Sequence, residues 1–187
     1  YQHVNIAPDL SIAENYFLGR QPKTKLGMVD WKKMYDDSQK IIDKFGMNVD
    51  PRQKISSLPI AMQAMVTISK ISVSDDLRIV IFDEPTALLE NEKVETLYKF
   101  IDELKSKGVS IIYISHRMPE IFRICDRATI LRDGRYVDTV NVKDVTADEI
   151  VLKMVGRSLG DYYPPKSSKA AGKELLSVKD VTGTQFK

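Results

Sequence analysis

Short apolar runs alternate along this chain with longer stretches whose apolar residues recur at helical spacing. Two apolar runs, at residues 79–82 and 109–114, flank residues 92–105, where apolar side chains fall on one stripe of a helix. Apolar runs without alternation are typical of strands in a parallel sheet that is covered on both faces. The order strand, helix, strand predicts a βαβ unit of an α/β fold, with its first strand buried on both faces.

Further helices are predicted where apolar residues at helical spacing follow residues that favour helix starts. They cover residues 12–17 after Ser11, 31–45 after Asp30, a stretch from Pro59 to just before Asp75, 118–125, and 147–154 after Thr146. Thr146 and Glu149 have the spacing of a capping box, and Gly156 ends that helix. Asp133-Gly134 predicts a tight turn that joins strands at residues 128–131 and 136–140.

Composition excludes some classes of protein. Of the 187 residues, 43% are hydrophobic and 29% are charged, and no apolar run approaches the roughly 18 residues that would suggest a membrane span. We therefore do not expect an integral membrane protein. The 28 basic and 26 acidic side chains leave a net charge of +2, which is too balanced to indicate nucleic-acid binding by bulk attraction.

The single cysteine and the first residue carry two further expectations. Cys125 excludes an internal disulfide and, within an apolar helix face, is expected to be a small buried hydrophobe. The chain starts at Tyr1 without a methionine or a signal-like segment. We expect it to be a piece of a longer protein.

Polar side chains follow both strands of the predicted βαβ unit. Asp83 and Glu84 come directly after the first strand, and Ser115 and His116 come after the second. In open α/β sheets, ligands bind outside the carboxyl ends of the strands. A solvated strand end or a structural histidine would explain either pair alone, whereas both pairs in this order favour a functional site.

The residues around these strands resemble a known family. Arg-Ile-Val-Ile-Phe-Asp-Glu-Pro-Thr at 78–86 and Ile-Ile-Tyr-Ile-Ser-His-Arg at 111–117 resemble the Walker B and switch-histidine strands of ATP-binding cassette (ABC) ATPases. Leu-Ser-Ile-Ala-Glu-Asn-Tyr-Phe-Leu-Gly-Arg at 10–20 and Met-Val-Gly-Arg-Ser at 154–158 resemble the first nucleotide-binding half of bacterial monosaccharide-import ATPases of the ribose and galactose type. The resemblance covers essentially the whole chain.

The resemblance implies roles for individual residues. Asp83 would hold Mg²⁺ through its water shell, and Glu84 would polarise the water that attacks the γ-phosphate of ATP. His116 would contact that phosphate, and Gln2 would reach toward Mg²⁺ and the attacking water. Residues 87–90 match the D-loop, which in the family crosses to the partner half.

The chain departs from the family pattern in two places. It contains no Gly-x-x-x-x-Gly-Lys-Ser/Thr phosphate loop, which in the family lies upstream of Gln2, so we expect that the chain is truncated. The nucleotide-contacting signature, usually Leu-Ser-Gly-Gly-Gln, is here Leu58-Pro59-Ile60-Ala61-Met62. Proline removes both the hydroxyl and one N–H that would face the nucleotide, so we expect a weakened composite site.

The predicted fold is α/β: part of a P-loop NTPase core of the ABC type, with an inserted helical subdomain. The expected organisation is a Q-loop region at 1–10, a helical subdomain at 11–74, the Walker B to switch-histidine part of the core at 75–157, a linker at 158–173, and the start of a second nucleotide-binding domain at 174–187.

The implied function is ATP hydrolysis coupled to monosaccharide uptake. Partners would be transmembrane permease subunits, an extracytoplasmic sugar-binding protein acting through them, and a second nucleotide-binding half, at the cytoplasmic face of the membrane. No nucleic acid is expected. We expect the 187-residue chain alone to be inactive and to self-associate.

Two other functions remain open. One is a soluble ABC-type ATPase of translation or DNA repair, which the importer-like residues 10–20 and 154–158 disfavour. The other is a docking module that engages a permease and contributes little catalysis.

Overall fold

The computed structural model describes residues 6–74 and 76–156, which fall into two units. The first unit contains the helices α1 Ile12–Tyr16, α2 Trp31–Lys44, α3 Ile60–Ser69, α4 Asn91–Ser106 and α5 Met118–Ile124, and the strands β1 Ile79–Asp83 and β2 Ser110–Ile114. The second contains α6 Ala147–Val155 and most of a hairpin formed by β3 Arg127–Arg132 and β4 Arg135–Asn141. Short 3₁₀ turns lie at Ile55–Ser57, Lys70–Val73 and Val142–Asp144.

The βαβ prediction is confirmed in the first unit. β1 and β2 pair in parallel, with Ile79 opposite Ser110 and Asp83 opposite Ile114. The backbone N–H of Glu84 donates to the carbonyl of Ile114 over 2.9 Å, which extends the pairing one residue beyond β1. Because the strands are parallel, their carboxyl ends meet at one edge of the sheet.

The core of the first unit joins its helical part to the sheet. Leu97 and Ile101 of α4 are fully buried in the same apolar cluster as Val80 and Phe82, which point inward from β1. Phe45, directly after α2, lies in this cluster too. Its ring meets that of Phe100 edge to face, with centroids 4.9 Å apart. A continuous core therefore supports the strand end from which Asp83 and Glu84 project.

The expectation that β1 is buried on both faces is wrong for the described residues. Val80 and Phe82 are buried, but the alternate residues Ile79 and Ile81 are exposed, as are Ile112 and Ile114 of β2. The reason is geometric. Side chains alternate across a strand, and within residues 6–74 and 76–156 the core covers only one face of this pair of strands.

Exposed isoleucines on a sheet face favour association between chains. The 187-residue chain is expected to self-associate at micromolar concentration, and Ile81→Lys, which places a charge at a side chain 62% exposed, should shift it toward monomer. Light scattering after size exclusion measures this change. Leu26→Lys is the matched control, because Leu26 is 84% exposed but lies in the loop between α1 and α2. Equal effects of both substitutions would show that the isoleucine face is not the contact.

Local signals placed most element ends correctly. Ser11 caps α1 and Thr146 caps α6, each in a complete capping box with a glutamate three residues later. Asp133 and Gly134 both have positive φ, as the tight turn between β3 and β4 requires. Pro59 is the N-cap of α3, so this helix begins one residue later than predicted.

The second unit is held by contacts between α6 and the hairpin. Lys153 of α6 forms an ion pair with Asp138 of β4, and Arg132 of β3 donates to the carbonyl of Lys153 over 3.3 Å. Ile150 of α6 and Ile130 of β3 are buried.

No helix in the described part of the chain is long and apolar enough to cross a membrane. Gln2, the predicted linker at 158–173 and the expected start of a further domain at 174–187 lie outside the described residues.

Candidate functional site

The polar residues that end β1 and β2 are brought together, as their positions predicted. Oε1 of Glu84 lies 2.7 Å from Nδ1 of His116. Both side chains are accessible, at 39% and 71% exposure respectively. We call these two residues the Glu84–His116 pair. A carboxylate and an imidazole in direct contact can hold a water and a negatively charged group side by side.

Asp83 occupies the last position of β1. It lies opposite Ile114 in the register of the sheet, and it is exposed. Consecutive strand residues project to opposite faces, so Asp83 shares its face with exposed Ile81 rather than with buried Phe82. An accessible carboxylate therefore precedes Glu84 directly.

The backbone of Glu84 adopts an unusual conformation. Its φ is +47°, in the left-handed region that residues with a Cβ seldom occupy. A residue held there costs about 1–3 kcal/mol, and the conformation persists only where its surroundings enforce it. The turn that follows does so in part, because the N–H of Ala87 donates to the carbonyl of Glu84 over 3.2 Å. Such strain is concentrated at functional sites, which supports a role for this carboxylate.

A buried carboxylate lies behind the pair. Glu120 of α5 is 3% exposed. Its Oε1 accepts hydrogen bonds from Thr86 Oγ1 at 2.6 Å and from Arg117 Nη1 at 3.1 Å. Its Oε2 accepts from Tyr113 OH and from Ser115 Oγ, both at 2.9 Å. We call Glu120 and these four donors the Glu120 network.

The charge state of the Glu120 network follows from these bonds. Burial by itself raises the pKa of the Glu120 carboxyl, but the four hydrogen bonds outweigh it, so that pKa lies below its ordinary value. Burial, and then the hydrogen bond to Glu120, raise the pKa of Tyr113 well above its ordinary value. At neutral pH Glu120 is therefore an ionised acceptor and Tyr113 a protonated donor.

Sequence reasoning did not single out Glu120. One signal was present: Glu120 and Ile124 are four residues apart in the predicted helix over 118–125, so they share its apolar face. Acidic residues are seldom fully buried unless they are paired. A carboxylate on the buried face of a helix beside a candidate site could therefore have been identified as a paired residue that belongs to the site.

The residues predicted to form the signature segment lie at the start of α3. Pro59 caps this helix without a side-chain hydrogen bond, and Ile60, its first residue, is exposed. Ala61 follows, half-buried. Among the residues that the structure describes, no hydrogen bond or ion pair joins these three to the Glu84–His116 pair.

The chemistry of a metal can be tested against the residues present. Within residues 6–74 and 76–156, no group of three or more histidine, cysteine, aspartate or glutamate side chains is arranged to hold a metal ion. Mg²⁺ is commonly bound by one or two carboxylates together with waters and phosphate oxygens of a nucleotide. The accessible carboxylate of Asp83 fits that mixed donor set.

Comparisons with known sequences give relatives along the whole chain. No protein-family model matches. The ribose import ATP-binding protein RbsA 2 of Rhizobium meliloti is 42% identical over 189 residues, covering 100% of this chain and 36% of that protein. The galactose/methyl galactoside import ATP-binding protein MglA 1 of Photobacterium profundum is 45% identical over 183 residues, covering 96% of this chain and 36% of that protein. The chain thus spans little more than a third of these relatives.

Comparison with solved structures identifies the fold. A dimeric post-hydrolysis state of an ATP-binding cassette bound to ADP and Pi aligns with a TM-score of 0.64 over 76% of this chain and 61% of that chain, at 17% sequence identity. The described α/β arrangement is therefore that of part of an ABC ATPase core, as predicted.

Proposed function

We propose that the protein containing this chain hydrolyses ATP to drive monosaccharide uptake. The proposal rests on similarity: the chain is 42% and 45% identical to a ribose and a galactose import ATP-binding protein, over about 36% of the length of each. The observation that carries the catalytic part of this proposal is the 2.7 Å contact between Glu84 and His116 at the carboxyl ends of two parallel strands. That edge of an α/β sheet is where ligands bind.

Phosphoryl transfer requires positioning and charge stabilisation more than covalent chemistry from the protein. Glu84 would accept a hydrogen bond from the attacking water through Oε2, while Oε1 contacts His116. The other ring nitrogen of His116, Nε2, would contact the γ-phosphate. Both ring nitrogens donate hydrogen bonds only when the imidazole is protonated, and that form would also offset charge in the transition state.

Mg²⁺ is part of the proposal because ATP carries it. When bound, this ion would neutralise charge on the β- and γ-phosphates. Asp83 would hold it through its water shell, with Gln2 from outside the described residues as a second ligand. Both supply the oxygen atoms that this cation prefers.

The proposed organisation places further nucleotide contacts elsewhere in the protein. Residues 1–10 would form the Q-loop region, 11–74 the helical subdomain, 75–157 part of the core, 158–173 a linker, and 174–187 the start of a second nucleotide-binding domain. The segment Pro59-Ile60-Ala61 would face nucleotide bound by the other half. Transmembrane permease subunits, served by an extracytoplasmic sugar-binding protein, would hold the protein at the cytoplasmic face of the membrane.

Reconstitution tests the function. The full-length protein, with its permease and binding protein in proteoliposomes, is expected to take up labelled monosaccharide when Mg-ATP is supplied and not when a non-hydrolysable analogue replaces it. Hydrolysis that never drives uptake of any monosaccharide would favour a soluble ABC-type ATPase instead. Absence of hydrolysis would favour the docking module.

The 187-residue chain alone is expected to bind ATP weakly and not to hydrolyse it. Its sequence contains no Gly-x-x-x-x-Gly-Lys-Ser/Thr loop, whose backbone N–H groups and lysine cradle the phosphates. Titration of this chain and of the full-length protein with a fluorescent nucleotide compares their affinities. Micromolar binding by the 187-residue chain would contradict the proposal that tight nucleotide binding needs a phosphate loop that this chain does not contain.

Serine in place of Pro59 should raise the ATPase rate of the full-length protein. The substitution supplies a hydroxyl and an N–H at the start of α3, and donors aimed at phosphate stabilise the transition state, so we expect a gain of roughly three- to tenfold. Steady-state phosphate release measures it. Pro22→Ser is the control, since Pro22 lies in the loop between α1 and α2 and its backbone carbonyl accepts a hydrogen bond from the N–H of Asp30, which serine preserves. An unchanged rate in Pro59→Ser would favour the docking module.

A further inference from the structure

Glu120 is a carboxylate that the proposed reaction does not use, and it is almost completely buried. A buried charge is tolerated only when hydrogen bonds replace its lost hydration. Each of its oxygens accepts two hydrogen bonds, from Thr86 and Arg117 at Oε1 and from Tyr113 and Ser115 at Oε2. The network therefore holds this side chain in one position.

The donors come from both sides of the Glu84–His116 pair. Thr86 lies two residues after Glu84, in the turn that follows β1, and Ser115 lies directly before His116 at the end of β2. Their hydroxyls reach the two oxygens of the same carboxylate, at 2.6 Å and 2.9 Å. Glu120 thus links the two backbone segments that carry the pair.

The conformation of Glu84 makes such a link necessary. Its φ of +47° is unfavourable and persists only where neighbouring contacts enforce it. Thr86, the residue that closes the turn on the far side of Pro85, is buried and bonded to Glu120. Loss of this bond would free the turn to relax and would move the Glu84 carboxylate away from His116.

We propose that Glu120 is a positioning residue that holds Glu84 and His116 in contact by bonding the turn after β1 and the end of β2 to the same carboxylate. The inference rests on the proposed function only for its effect on hydrolysis. The geometric part, contact between Glu84 and His116, is independent of what the protein does.

The test uses the full-length protein and the variants Glu120→Ala and Glu120→Gln. Alanine removes all four bonds, so kcat for ATP hydrolysis should fall roughly tenfold or more while KM changes less than about threefold, because misplaced catalytic groups lower the rate without removing substrate contacts. Glutamine keeps the length and the hydrogen-bonding capacity, since its amide can donate to hydroxyls that rotate. It should therefore restore most of the rate.

A spectroscopic readout separates positioning from general stability. The ring nitrogen resonances of His116, assigned with His116→Gln in protein labelled at histidine, report whether Nδ1 is in contact with Glu84. Glu120→Ala should shift these resonances to their values in Glu84→Ala, which has no side-chain oxygen to contact Nδ1, and Glu120→Gln should leave them near wild type. Unshifted resonances in Glu120→Ala would overturn the proposal.

Milder variants keep the test decisive if Glu120→Ala does not fold. Thr86→Val and Ser115→Ala each remove one of the four hydrogen bonds to Glu120 and retain similar volume, and each should shift the His116 resonances partway. Wild-type resonances in both would overturn the proposal. Asp102→Asn is the matched control, because it changes an acid to an amide at an exposed ion pair with Arg123, and it should alter neither readout.

The two proposals fail in different ways. If the wild-type protein hydrolyses no ATP, the proposed function is wrong, and the resonances of His116 still decide the role of Glu120. The other case is a wild-type protein that hydrolyses ATP normally. If Glu120→Ala then has a lower kcat, a higher KM and unshifted His116 resonances, the positioning role is wrong and the proposed function stands.

Discussion

Glutamine at Glu84 is expected to lower kcat for ATP hydrolysis by the full-length protein roughly 100- to 10,000-fold, the range for loss of a positioned acid–base group. The substitution retains shape and removes the charge that polarises the attacking water. Because the substituted amide would remain beside His116, nucleotide binding should persist, with KM within about threefold of wild type. Phosphate release at saturating Mg-ATP measures kcat, and a fluorescent nucleotide measures binding.

Glu92→Gln is the control for this substitution. Glu92 is exposed in the first turn of α4, eight residues beyond Glu84, and undergoes the same loss of charge. It should leave kcat nearly unchanged. A similar rate loss in both variants, or none in Glu84→Gln, would show that the carboxylate after β1 is not the group that activates water.

Alanine at His116 is expected to lower kcat by roughly 10- to 100-fold. The substitution removes a donor to transition-state charge and the partner that holds Glu84 at 2.7 Å. Since His116 is 71% exposed, loss of its ring should change the thermal midpoint of unfolding little. Steady-state hydrolysis and a thermal melt, measured on the same preparation, separate these effects.

The double variant Glu84→Gln/His116→Ala is the internal control. Residues that act as a unit give strongly non-additive losses, so the double variant should be about as slow as Glu84→Gln alone. Losses that multiply would show that Glu84 and His116 act independently, and the contact between them would then carry no catalytic meaning.

Sequence reasoning was most successful where a signal acts over a few residues. Ser11 and Thr146 satisfy backbone donors three residues away, so their capping boxes form whatever surrounds them. The Asp133-Gly134 turn likewise depends on the backbone freedom of its own residues. These elements appear where they were predicted.

The meeting of Glu84 with His116 was also predictable, although 32 residues separate them. Parallel pairing across one helix places the carboxyl ends of consecutive strands side by side, so polar residues at both ends must be neighbours. Sequence alone could not supply the left-handed backbone at Glu84, since it arises where the turn at Pro85 meets the end of the sheet.

Burial was harder to predict. An apolar run does not state how many faces of its strand will be covered, and the exposed isoleucines of β1 and β2 show that the prediction for both faces was wrong in the described residues. Cys125, expected to be buried, is half-buried, and its burial raises the pKa of its thiol. Coverage depends on which elements pack there, which is a property of the assembled fold.

The sequence by itself determined the order of the elements, their caps and turns, and the two polar strand ends, because each of these depends on residues close together in the chain or on the parallel βαβ connection. Only the tertiary structure decided that Glu120 lies behind the Glu84–His116 pair. Three of its four donors lie within seven residues of it, but the fourth, Thr86, lies 34 residues earlier, in the turn after β1. A hydrogen bond between segments so distant in the chain exists only after packing has brought them within about 3 Å.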